Sequence, residues 1–202
     1  MSVLDFLSPG RAAAAGGFRP VARSSMERRF REAGATFEER DGWLVPVSVP
    51  GEAEHLAVVG VADVSHLTKL EVRPAPASAG AGIVTYTISP RRGLLLFTAG
   101  LADLVSEHVA GAPFVLDVTA QYGILAIVGP EAHTVIRRLT HLHRFPSGGE
   151  VAHITAHVLE RDGGYWIVFP QEYGHYLYEV AVDHAAALGG GPVGVDALGA
   201  TG

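Results

Sequence analysis

Apolar and polar positions in this chain follow two periods, and the two periods divide it into elements. Alternation or short β-branched runs predict strands at Trp43 to Val49, Leu67 to Val72, Ile83 to Ile88, Leu94 to Phe97, Phe114 to Val118, Ile124 to Val128, Val151 to Leu159 and Tyr165 to Phe169. Pro46 cannot donate to a sheet ladder, so the first of these is expected at an edge. Helical spacing predicts Met26 to Ala33, with Ser24 and Glu27 as a capping box and Gly34 as its closing residue. It also predicts Leu101 to Val109, a helix opened by Gly129-Pro130 and running to Leu139, and Glu172 to Leu188. Asp162-Gly163-Gly164 has the chemistry of a hairpin turn, and a short strand is expected over Pro192 to Val195. From residue 114 the order reads β-β-α-β-β-α. The fold class is therefore α+β, with mostly antiparallel sheets and helices on one face.

One layout occurs twice. Gly60-Val-Ala-Asp63-Val-Ser65-His66 leads into the run Leu67 to Val72, and Leu116-Asp117-Val-Thr119 leads into Tyr122 to Val128 fifty-four positions later. Two such units in one short chain predict a duplicated half-domain. The organisation expected is a flexible arm over 1–23, whose Gly and Pro punctuation lacks periodicity, then related halves over 24–113 and 114–202.

Composition narrows the function classes. The 202 residues are 48% hydrophobic, enough for a sizeable core, and the net charge of −6 comes without a basic stretch, which argues against a nucleic-acid partner. There is no cysteine, so disulfides, thiolate metal sites and cysteine nucleophiles are excluded. The N-terminal residues are too polar for a signal or membrane span, and a cytoplasmic location is expected. Gly189 to Gly194 has the spacing of a dinucleotide fingerprint, but it closes a helix instead of opening one and contains Pro192. No P-loop, G-x-S-x-G or H-E-x-x-H motif occurs. His141, His143, His153 and His157 fall within seventeen residues; they suit either a metal site or the solvated face of an antiparallel sheet. His66, directly after Asp-Val-Ser, suits a ligand hydrogen bond or a structural role at a strand start.

Several segments together carry a family resemblance. Ser25-Met26, Gly34 to Glu38, Gly42-Trp43-Leu-Val-Pro46 and Gly60 to Val72 resemble the opening of the folate-binding domain shared by aminomethyltransferases (glycine cleavage T-protein) and sarcosine or dimethylglycine oxidases. Asp117 to Ala132, Tyr165 to Tyr173 and Gly191 to Gly194 are similar to the second half of that domain and to the gamma subunit of heterotetrameric sarcosine oxidase. The resemblance covers roughly 24–73 and 114–196. It implies two related, ferredoxin-like α+β halves around a central pocket, tetrahydrofolate as cofactor, and one-carbon transfer from a small-molecule amine substrate.

The chain departs from the family where its chemistry is concentrated. Ser89-Pro-Arg-Arg-Gly93 stands where an acidic Gly-Gly-x-x-Asp-Asp segment is expected, and Glu160 to Gly164 replaces a Gly-Tyr-Thr-Gly-Glu motif. The C-terminal barrel of the full-length transferases is not among these residues. Two hypotheses follow. In one, the chain is a compact folate-dependent transferase with Asp63 or Asp117 as the working acid and Ser65, His66, Tyr86, Tyr122, Glu172 and Tyr173 as cofactor contacts. In the other, it is a noncatalytic gamma-type subunit of a larger oxidase or demethylase. Asp63 and Asp117 also have a plain alternative as caps of the turns that open each strand.

Overall fold

The computed structural model describes residues 20–199 except Ala79 and Asp162. The expected arm therefore lies outside the described residues up to position 19, and the Asp162 turn falls partly outside them. Within them the chain is a mixed α+β fold with three sheets.

Strands β1 (Ala22–Arg23), β2 (Thr36–Arg40) and β3 (Trp43–Ser48) form a small sheet of order β1-β3-β2. The edge position expected for the strand containing Pro46 is therefore corrected: β3 is the middle strand. β1 is only two residues long, so among the described residues β3 has a neighbour along only a short stretch of that side. Helix α1 (Glu27–Glu32) follows β1, but not through a capping box. Ser24 Oγ accepts the Met26 N–H at 3.1 Å, while the Glu27 carboxylate takes Arg31 Nε at 2.6 Å and Arg23 Nη1 at 3.2 Å. Gly34 closes the helix at φ +80°, as its position predicts.

The chain divides into two compact units. Of the described residues, the first comprises 20–22, 39–43 and 66–122, and the second 23–38, 44–65 and 123–199. This division follows strand pairing instead of position along the chain. In the first unit, β5 (Thr68–Arg73), β6 (Val84–Ser89), β7 (Arg92–Phe97) and β8 (Phe114–Asp117) form an antiparallel sheet of order β6-β7-β5-β8. One face carries Leu70, Val72, Leu95 and Phe97, packed on Ala102, Val105 and Val109 of α3 (Ala102–Val109). Because side chains alternate along a strand, the opposite face carries Lys69, Glu71 and Arg73. Register aligns Tyr86, Leu94, Glu71 and Leu116 in one row across it.

In the second unit, a six-stranded sheet has the order β10-β11-β12-β9-β4-β13. Its strands are β4 (Gly60–Asp63), β9 (Tyr122–Val128, whose first residue belongs to the other unit), β10 (Ser147–Val151), β11 (Ile154–Arg161), β12 (Gly164–Pro170) and β13 (Gly191–Pro192). Helices α1, α4 (Ala132–Leu139) and α5 (Gly174–Ala186) pack with it. Helix α4 buries Ala132, Val135, Ile136 and Leu139, the i, i+3, i+4, i+7 stripe of an amphipathic helix. Phe30 of α1 meets Tyr178 of α5 edge-on, with ring centroids 4.9 Å apart. Every residue of β9 is buried, which explains its continuous apolar run. Gly123 interrupts that run because a Cβ there would lie 2.6 Å from the Phe169 ring. Two further short α-helices, α2 (Glu52–Leu56) and α6 (Val195–Leu198), belong to the same unit.

The repeated sequence layout has a matched geometry. In the second unit, the Ser65 N–H donates to Asp63 Oδ1 at 2.9 Å, Val64 N donates to Ile124 O at 3.1 Å, and Ser65 Oγ accepts the Ile124 N–H at 3.0 Å. In the first unit, the Thr119 N–H donates to Asp117 Oδ1 at 2.8 Å, Val118 N donates to Lys69 O at 2.9 Å, and Thr119 Oγ1 accepts the Lys69 N–H at 2.9 Å. The strand that precedes each motif thus pairs with the strand that follows the other: β4 with β9, and β8 with β5. The chain passes into the first unit at His66 and leaves it after Tyr122.

Candidate functional site

The polar face of the first unit's sheet holds the densest set of buried charged and hydrogen-bonding groups among the described residues. Lys69 is fully buried. Its Nζ donates to Leu67 O at 2.9 Å and Thr119 O at 3.2 Å, and it stands 5.9 Å from the centre of the Trp43 ring. Two residues along β5, Glu71 is also buried, and two guanidinium groups grip it. Arg73 Nε donates to Oε1 and Arg92 Nε to Oε2, each at 2.7 Å. Burial alone would raise the Glu71 carboxyl, but the hydrogen bonds from Arg92 and Arg73 outweigh it and hold the group below the usual carboxylate range. Arg92 also reaches Tyr122 Oη at 3.4 Å.

His66 opens this segment. Burial first, then the positive charges of Lys69 and Arg40, lower its pKa to about 4, so the imidazole is neutral at physiological pH. Its Nδ1 is enclosed and has no hydrogen-bond partner among the described residues. Such an atom costs about 1–3 kcal/mol unless something bonds to it.

The residues singled out in the sequence fall into separate groups. His66, Tyr86, Asp117 and Tyr122 belong to the first unit, and Asp63, Ser65, Glu172 and Tyr173 to the second. Asp63 and Ser65 are bonded to each other in the turn described above, and Asp117 makes the equivalent turn with Thr119. Tyr86 is 5% exposed, and burial raises its phenol pKa. Tyr122 is 9% exposed, at the end of the Glu71–Arg92 chain. Glu172 and Tyr173 lie on an exposed 3-10 turn, Gln171–Tyr173, after β12.

Lys69, Glu71, Arg73, Arg92 and Thr119 were not singled out in the sequence. A signal for them exists: in Lys69-Leu-Glu71-Val-Arg73 a charge falls at every second position while Leu70 and Val72 take the core, as in a strand with work on both faces. The histidine cluster does not assemble a metal site, since no group of three His, Asp or Glu residues among those described could hold an ion. His153 sits in the β10–β11 turn instead of sharing a strand face with His157.

No known family model matches the chain. Among curated proteins it is similar to a probable aminomethyltransferase of Aeropyrum pernix, 25% identical over 85% of this chain and 60% of that one. It is similar to the aminomethyltransferase of Mycobacterium tuberculosis at 28% identity over 85% of this chain and 59% of that one. The chain thus spans about three-fifths of the length of these relatives. Among solved structures, the glycine cleavage system aminomethyltransferase T of Bartonella henselae matches 88% of this chain and 60% of its own, with TM-score 0.66 and 19% identity. A chain of the heterotetrameric sarcosine oxidase from Corynebacterium sp. U-96 matches 83% of this chain and 96% of its own, with TM-score 0.59 and 16% identity. These structures share the fold, and the curated relatives share the sequence pattern.

Proposed function

Taking the chain as a relative of the aminomethyltransferase and sarcosine oxidase family, we propose that it binds tetrahydrofolate and serves one-carbon transfer, of a methyl or methylene group, from a small amine substrate. The observation that carries this reading is the enclosed, unbonded Nδ1 of His66. A neutral imidazole offers one donor and one acceptor, which suits the amide and amine groups of a reduced pterin. Tyr86 and Tyr122 contribute flat apolar rings with a polar tip, suited to a planar heterocycle. Bound tetrahydrofolate supplies the nitrogens that take up the one-carbon unit. The chain's own part is to orient the ligand and to hold charge near it. Asp117, fixed by its turn with Thr119, is the acid assigned to that task within the first unit. From the resemblance, Asp63 is the alternative acid, and Ser65, Glu172 and Tyr173 are further cofactor contacts. The matched turns at Asp63–Ser65 and Asp117–Thr119 support an origin by duplication of a half-domain.

A second reading has its own support: the match to the sarcosine oxidase chain extends over 96% of that chain. On this reading the protein is a noncatalytic, gamma-type subunit of a larger oxidase or demethylase. Equilibrium dialysis of 5-formyltetrahydrofolate against the purified chain, alongside native mass measurement after co-expression with proteins encoded beside it, separates the two. Folate retained by the chain alone supports the first reading. A stable hetero-oligomer with no folate retained by the chain alone supports the second.

A further inference from the structure

A cleft of about 510 Å³ in the first unit is lined by Arg73, Pro74, Arg91, Arg92 and Pro113. Three arginines line the cleft and one carboxylate, Glu71, pairs with two of them, so the group keeps a surplus of about two positive charges in a chain whose net charge is −6. That carboxylate fixes two of the three. Arg73 turns Nε and Nη2 toward Oε1, and Arg92 turns Nε and Nη2 toward Oε2. Arg73 is further held flat, its guanidinium carbon 4.6 Å from the centre of the Phe114 ring across the β5–β8 ladder. Each guanidinium carries five N–H donors in a planar fork, and among the described residues no hydrogen bond from Nη1 of Arg73 or Arg92 is made. Arg91 is exposed, and no ion pair joins it to another described residue. The prolines give the cleft an apolar lining beside these donors. Preoriented forks next to an apolar wall are the chemistry of organic carboxylate recognition.

We propose that this cleft is a binding site for a small organic anion, whose carboxylate is held by Arg91 with the outward donors of Arg73 and Arg92, and whose apolar part rests on Pro74 and Pro113. Glu71 serves as the positioning residue for the two fixed arginines. The site is distinct from the proposed folate contacts, because His66, Tyr86, Asp117 and Tyr122 do not line the cleft, although Arg92 also donates to Tyr122 Oη.

The test is a titration of the ¹⁵N-labelled full-length chain with glutarate and, separately, with inorganic phosphate, following the arginine Nε–H signals. Glutarate should shift the signals of Arg73, Arg91 and Arg92 saturably, and more tightly than phosphate. In Arg91→Ala its affinity should fall by about tenfold or more. Arg91→Lys, which keeps the charge but not the fork, should fall between the two. Arg91 makes no ion pair with another described residue, and unchanged amide shifts elsewhere establish that its variants are folded. Absence of saturable shifts, or glutarate affinity undiminished in Arg91→Ala, overturns the site. Phosphate binding as tightly as glutarate overturns its assignment to organic anions.

Discussion

Removing the hydroxyl of Thr119 should loosen one strand pairing and leave its counterpart intact. Thr119 is 6% exposed, and its Oγ1 accepts the Lys69 backbone N–H at 2.9 Å. Thr119→Val keeps the shape of the side chain but leaves that enclosed N–H without an acceptor, at a cost of about 1–3 kcal/mol. Thr119→Ser keeps the acceptor and loses one methyl, about 0.8 kcal/mol. Since about 1.4 kcal/mol is a factor of ten, hydrogen exchange of the Lys69 amide should accelerate about five- to a hundredfold in the Val variant and much less in the Ser variant. The Ile124 amide, bonded to Ser65 Oγ at 3.0 Å, is the internal control. Ser65→Ala should reverse the pattern, exposing Ile124 and sparing Lys69. Equal protection of Lys69 in the Val and Ser variants would refute the role given to these two hydroxyls.

Other outcomes follow from the same structure. Glu71→Gln should destabilise the chain by about 1–3 kcal/mol at neutral pH. The wild-type carboxyl lies below its ordinary value, so the gap should persist above about pH 4.5 and close as pH falls through the lower folded value; a gap that widens in acid would contradict this. His66 should titrate near pH 4 by proton NMR, and its contribution to stability should decline as pH falls from 6.5 toward 4; titration near 6.5 would show that the ring is neither buried nor flanked by Lys69 and Arg40 as described. Ala152 and His153 form the two-residue β10–β11 turn with φ of 47° and 64°, a conformation that favours Asn-Gly. Replacing both, Ala152→Asn with His153→Gly, should stabilise the protein by about 1–2 kcal/mol and raise Tm by several degrees, and a lowered Tm would count against that geometry.

That turn also marks where the sequence stopped being legible. Without Gly or Asn at positions 152 and 153, Val151 to Leu159 reads as one strand, whereas the chain reverses there and gives β10 and β11. Strands β5 and β9 and helix α4 were legible because their apolar positions are periodic or continuous over six or more residues, and β7 was legible through the unbroken apolar run Leu94 to Phe97. Strand β4 has four residues, all buried, and helix α2 has five, none buried, so neither shows a period. The repeat was legible as letters, but the exchange it encodes, β4 with β9 and β8 with β5, was not. Long-range register depends on which distant strand accepts a hydroxyl or a backbone N–H, and periodicity is silent on that. On the polar face of the first unit, His66 stood out in the sequence because it follows a recognisable motif. The Glu71–Arg73–Arg92 group was missed because its members come from two strands about twenty residues apart.

Folate recognition is the claim on which the functional reading depends. Trp43 lies beside Lys69 in the unit that holds His66, so its fluorescence in a Trp166→Phe background reports on that face. Titration with tetrahydrofolate should quench it saturably, and His66→Phe should weaken the binding by about tenfold, as the loss of a buried hydrogen bond requires. No saturable quenching at millimolar tetrahydrofolate, or binding unchanged in His66→Phe, would contradict the account.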